Sequence, residues 1–160
     1  VLRWEFPARG DMPPVKVYAY EKADDIPESL RKLRRELQTP SRVGSIFIGD
    51  KGYMYSGSFC LDTRILPVKK HREYPPPLKT LPRTGGAIDE IFDAIEKGRS
   101  LTNDFTTTSG RLTEWIFTGH LAAFTGVGKK LEWNVEKMEC TNYPQINQYV
   151  GRTYRKGWEV

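Results

Sequence analysis

Apolar residues along the chain change period several times, and each change predicts an element. Residues 1–6 (VLRWEF) and 15–21 (VKVYAYE) carry aromatic and β-branched residues and read as two strands joined by a loop. Pro13 and Pro14 hold that loop in one shape and end it before Val15. A helix is expected over 24–37, with Asp25 as N-cap, Pro27 in the first turn, and Leu30, Leu33 and Leu37 on one side of a basic surface. Residues 43–67 read as strand, Asp50-Lys51-Gly52 turn and strand, with a third strand at 60–66. The proline-rich stretch 68–82 reads as an extended crossing segment.

The second half is more helical. Residues 87–98 set Ile88, Ile91, Phe92 and Ile95 on one stripe, with Gly98 as the stop. Residues 109–126 form a helix capped by Thr108 or Ser109 and ended by Gly126. Leu112, Trp115, Ile116, Gly119, Ala122 and Ala123 make one apolar face of it; Phe117, Leu121 and Phe124 make a second. A helix apolar on two sides is covered on two sides, so the first face is expected against a sheet and the second against another helix, domain or subunit. Residues 130–140 give one or two strands, and 143–150 a short helix begun by Pro144. Hairpins separated by single helices, without regular βαβ alternation, predict an α+β fold: a mainly antiparallel open sheet with helices packed on one face.

Composition agrees with a folded unit. The 160 residues are 38% hydrophobic and 12% aromatic, outside the range of disordered chains. No run is long and apolar enough to span a bilayer, and no membrane partner is expected. Val1 is read as an internal position of a longer protein. Cys60 and Cys140, without framework spacing, are expected to be free and buried. The net charge of +5 is concentrated in residues 31–35, against an acidic stretch at 89–96. Such blocks are usually solvated helix faces, so nucleic acid is not the expected partner.

Candidate chemistry is sparse. His71 and His120 have no zinc-spaced partners, so no metal site is expected, and His120 reads as a packing or interface residue. Gly126-Val127-Gly128-Lys129-Lys130 follows a helix where a phosphate loop would open one, and reads as a cap and turn. Asp89, Asp93 and Glu96 share a helical side that could serve acid–base chemistry but more often forms a solvated row. Arg9-Gly10-Asp11 has the form of an adhesion tripeptide, yet lies inside the first strand-to-strand connection, where its expected task is to shape a turn. From the residues alone, the chain reads as a binding or interface half of something larger.

Four blocks carry a resemblance: WEFPARGDMPPVKV at 4–17, GSIFIGDKGYMY at 44–55, PPPLKTLPRTGG at 75–86, and 112–126 continued through 131–160. Together they resemble the C-terminal domain of the glucose–fructose oxidoreductase / inositol dehydrogenase / MocA family. The resemblance implies that 1–160 is one substrate-side and oligomerisation domain of a bacterial NAD(P)-dependent dehydrogenase acting on a sugar, cyclitol or derivative. NAD or NADP would be bound by an N-terminal Rossmann domain not included in these residues, so the fragment alone is expected to be inactive, with no catalytic residue of its own. A homo-oligomer is implied, and the compartment is left open between bacterial cytoplasm and periplasm. The basic helix near 27–37 lies where the resemblance implies only a loop.

Many family members carry a histidine at the start of the C-domain helix, where this chain has Ala87 and Ile88. That departure leaves Arg83 as the polar substrate-binding candidate at the helix entrance, with a structural ion pair as its other reading. Trp4 and Trp158 are candidates to stack on a sugar ring, against core packing as the commoner fate of such a residue. The alternative for the whole chain is a non-catalytic carbohydrate-binding or scaffolding module of the same fold.

Overall fold

The computed structural model describes residues 1–39 and 43–158. The α+β class holds, and every strand pair is antiparallel. Among the described residues the strands are divided among three small sheets. The chain forms two compact units, one of Val1–Ala19 with Pro82–Val160, the other of Tyr20–Leu81.

In the first unit, β1 (Leu2–Phe6) pairs with β2 (Val15–Ala19) in the register Leu2↔Ala19 to Phe6↔Val15. Strand period puts Leu2, Trp4 and Phe6 on one face, and that face receives the helix α4 (Gly110–Thr125). The turn between the strands closes on itself: Arg9 N–H donates to Met12 O at 3.1 Å and Met12 N–H to Arg9 O at 3.0 Å. Gly10, the first of its two central residues, has a φ of +55°, a left-handed conformation that a two-residue hairpin turn asks of glycine. The tripeptide Arg9-Gly10-Asp11 thus forms the turn that the sequence implies.

The far side of α4 meets a hairpin of Trp133–Asn134 (β6) with Glu139–Cys140 (β7) and a 3-10 turn, Pro144–Tyr149. Leu121, Cys140 and Ile146 form the buried cluster there, flanked by Leu131, Trp133, Tyr143 and Val150. One expectation for α4 needs correction: Leu112 and Ile116 of the first predicted face are half exposed. Of the second face, Leu121 is buried against the hairpin and turn, while Phe117 and Phe124 are exposed. A sheet of two strands is narrower than the helix face, so it covers Trp115, Thr118 and Gly119 and leaves the flanks wet.

The cap of α4 is also displaced. Residues Phe105–Ser109 coil as a wide π-type turn ahead of the helix, and Asp104 caps them. Its carboxylate accepts the backbone N–H groups of Thr106 and Thr107, both at 2.7 Å, and both threonine hydroxyls. The cap therefore precedes the Thr108 and Ser109 positions expected from sequence.

In the second unit, β3 (Ser45–Gly49), β4 (Gly52–Ser56) and β5 (Arg64–Leu66) form an antiparallel meander. Leu37, Tyr55 and Leu66 are its buried cluster. The helix α1 (Glu28–Glu36) begins later than predicted. Pro27 forces Ile26 into extended backbone (φ −71°, ψ 121°), which breaks any helical path from Asp25. Asp24 and Asp25 lie instead in a separate 3-10 turn, Ala23–Asp25.

The extended reading of 68–82 holds only for its later part, since Val68–Glu73 is a short helix, α2. The prolines begin at Pro75, and Tyr74 before them is extended (φ −85°, ψ 124°), so the helix stops where proline sterics require. Cys60 sits in a 3-10 turn, Ser58–Cys60, and is exposed; Cys140 is buried; both are free.

Candidate functional site

The residues proposed from sequence occupy three separate local settings. Trp4 is wedged against α4: its Nε1–H donates to Thr118 Oγ1 at 3.1 Å, and its ring meets Trp115 edge-on at 5.5 Å. Trp158 is 63% exposed in the terminal segment, with the Arg155 guanidinium 4.4 Å above its ring. Arg83 is exposed just before the helix α3 (Ala87–Lys97), which opens with Ala87 and Ile88. Among the described contacts, none joins Arg83, Trp4 and Trp158 to one another.

The carboxylates of α3 form a folding network. Asp93 accepts from Lys97 and from Arg99, whose NH2 is at 2.7 Å, and these partners hold its carboxyl below the usual range, the Lys97 bond foremost. Glu90 is buried and accepts the Thr102 N–H at 2.7 Å, the chief reason its pKa is lowered. Acids held ionised by such partners are poor proton donors. Sequence periodicity gave no sign of Glu90 or Arg99. Their meeting depends on Gly98 turning left-handed (φ 58°), which folds Arg99 back so that its N–H reaches Ala94 O.

The basic block of α1 is largely paired on its own helix. Glu28 accepts from Arg31 Nε at 2.9 Å and Arg35 NH2 at 2.6 Å, and Lys32 lies 3.9 Å from Glu36. Such exposed pairs add little stability, but they reduce the positive face offered to a polyanion.

Two grooves flank α4 within the first unit. One, of about 280 Å³, lies beside the helix start and the β6–β7 hairpin and includes Arg111, Glu114 and Glu136. The two oxygens of Glu114 are occupied, one by Trp133 Nε1–H at 2.7 Å and the other by Arg111 NH1 at 3.0 Å. That carboxylate fastens the hairpin to the helix. The other groove, of about 290 Å³, lies between the end of α4 and the 3-10 turn Pro144–Tyr149. Phe124 and Tyr149 stack there at 5.2 Å and 15°, while Lys129 Nζ stands 5.6 Å over the Tyr143 ring. Gln145 and Gln148 line its rim. Sequence reading missed this groove because its aromatic residues are far apart in the chain and meet only when the 3-10 turn docks.

The turn after α4 does not fit the pyrophosphate of a dinucleotide. Gly126 and Gly128 have positive φ (97° and 80°) but follow the C-terminal end of α4, where carbonyls rather than N–H groups would face a pyrophosphate. Among the described residues, no group of three or more His, Cys, Asp or Glu is placed to hold a metal, and no helix is long and apolar enough to cross a membrane. No family model matches the chain, and neither a curated protein nor a solved structure matches it.

Proposed function

We propose that this chain is the substrate-side domain of an NAD(P)-dependent dehydrogenase acting on a sugar, cyclitol or derivative, and that it works covered by further protein. The observation that carries the second part is the apolar stripe of α3. Ile88, Ile91, Phe92 and Ile95 are between 42% and 73% exposed, while the same helix buries Glu90 and Ala94. A helix that turns its apolar stripe to water and anchors itself through a carboxylate presents a surface suited to another domain or subunit. The substrate and cofactor classes rest on the four resembling blocks. These blocks correspond to the β1–β2 hairpin, the β3–β4 hairpin, the entrance to α3, and α4 with the hairpin and turn beyond it.

The nicotinamide nucleotide, NAD or NADP, belongs in this reading to a Rossmann domain outside these residues. This chain contributes contacts to substrate, with Arg83 and Trp158 as the residues to test, since Trp4 is engaged in packing against α4. The second reading, a carbohydrate-binding module without catalysis, is favoured by the aromatic and amide-lined groove at the end of α4.

The test uses protein produced from the complete gene, incubated with NAD or NADP and a panel of sugars, sugar acids and cyclitols. The expected result is reduction of the nucleotide with at least one substrate, and none by the 160-residue chain alone. Sugar binding that is indifferent to either nucleotide, without turnover, would sink the dehydrogenase and leave the binding module.

A further inference from the structure

We propose that the groove between the C-terminal end of α4 and the 3-10 turn Pro144–Tyr149 is a binding site for a polyhydroxylated ring bearing a carboxylate or phosphate, with Lys129 as its counter-charge. The sequence reading takes the Gly126–Lys130 stretch here only as a cap and turn, and the resemblance names none of these residues as a substrate contact.

The anion follows from the groove's charge. Among the described residues lining it, Lys129 is the single charged one and none is a carboxylate. Among the described residues Lys129 has no acidic partner; its ammonium stands over the Tyr143 ring, a contact that orients the group without neutralising it. The neighbouring Lys130, by contrast, is paired with Glu5 at 3.2 Å. The carbonyl end of α4 contributes roughly half a negative charge at most, which offsets only part of the full charge on Lys129.

The ring follows from the other walls. Phe124 is 70% and Tyr149 59% exposed, although each already stacks on the other. Their mutual contact closes the slot a flat base would enter and leaves outer faces and edges, against which the C–H face of a sugar ring packs. Gln145 and Gln148 supply carboxamides, each both donor and acceptor, which suits hydroxyls that are also both. Gln148 Nε2 donates to Gln145 O at 2.9 Å, so its amide is oriented before any ligand arrives. The base of the groove is fixed by Ile146, which belongs to the buried cluster with Leu121 and Cys140. A volume of about 290 Å³ is at the small end of ligand sites, the scale of one ring rather than a chain.

Saturation-transfer NMR and calorimetric titration of the full chain with glucuronate, glucose-6-phosphate, glucose and adenosine monophosphate test this. The anionic sugars are expected to bind more tightly than glucose, and Lys129→Gln to weaken them about tenfold, as loss of one charge-assisted hydrogen bond implies, while leaving glucose unchanged. Gln148→Ala is expected to weaken all three sugars. Lys129 and Gln148 are exposed, so both variants should keep the wild-type thermal midpoint, which is checked alongside. Preference for glucuronate assigns the anion to a sugar acid, and preference for glucose-6-phosphate to a sugar phosphate. The proposal is overturned by absence of saturation for every sugar, by unchanged anion affinity in Lys129→Gln, or by tighter binding of adenosine monophosphate. No nicotinamide enters the experiment, so its failure leaves the dehydrogenase reading untouched, and absence of hydride transfer leaves this site untouched.

Discussion

Gly119 and Trp4 are fitted to each other: a Cβ on Gly119 would lie 2.5 Å from Trp4 Cζ2 and 3.0 Å from Leu2 Cδ1. The contact brings the β1 backbone close to α4 and explains why the glycine is tolerated in mid-helix. Alanine there would gain about 1 kcal/mol of helix propensity. Against that stands a clash with a rigid indole that the Thr118 hydrogen bond holds in place, and overpacking of this kind costs about 1–3 kcal/mol. Gly119→Ala is therefore expected to destabilise the protein, and Gly119→Val more so, by denaturant midpoint. A rise in stability would mean that the hairpin does not dock on α4 through Trp4.

Leu121 lies at the centre of the cluster with Cys140 and Ile146 and is 6% exposed. Leu121→Ala leaves a cavity that the hairpin and 3-10 turn can only partly close, and should cost about 2–5 kcal/mol. Phe124→Ala, at an exposed position on the same helix, should cost less. Equal losses in urea unfolding would contradict the burial assigned to Leu121.

The two thiols should differ in reactivity. Cys60 is exposed and Cys140 buried, and neither is in a disulfide. A maleimide or aromatic disulfide reagent should label one thiol per native chain and both after denaturation. Rapid labelling of both in the native state would show that the Leu121 cluster opens readily.

Glu90 provides the pH dependence. Thr102 N–H and Arg99 lower its folded pKa, so its contribution is complete above the unfolded value of roughly 4.3 and is lost as pH falls through the folded value. The stability difference between wild type and Glu90→Gln should thus be greatest near neutral pH and shrink toward zero in acid. A difference independent of pH would mean that the carboxylate's charge is irrelevant to the 98–102 turn.

The stripe on α3 predicts a change without a folding penalty. Phe92→Ser and Ile95→Ser remove apolar groups that are already in water, and should alter stability by no more than about 0.5 kcal/mol while improving solubility. Loss of the folded state in these variants would show that the stripe is buried in solution.

Much of the fold depends on local chemistry and is legible in the chain. The β1–β2 hairpin follows from its strand residues and Gly10; the β3–β4 hairpin follows from Asp50-Lys51-Gly52; the ends of α3 and α4 follow from Gly98 and Gly126. The errors had local causes too. Pro27 and Pro75 act on the residue before them, so α1 starts late and α2 fits ahead of the prolines, while Asp104 caps a wide turn that no regular period announces. What only the tertiary structure decided was which apolar faces are covered and which side chains meet. Periodicity marks a stripe but not its partner, so Ile88 and Phe92 on α3 look as buried in sequence as Trp115 on α4. The groove at the end of α4 has the same origin: Phe124, Lys129 and Tyr149 come together only because Ile146 packs on Leu121, a long-range apolar contact without a local sequence signature.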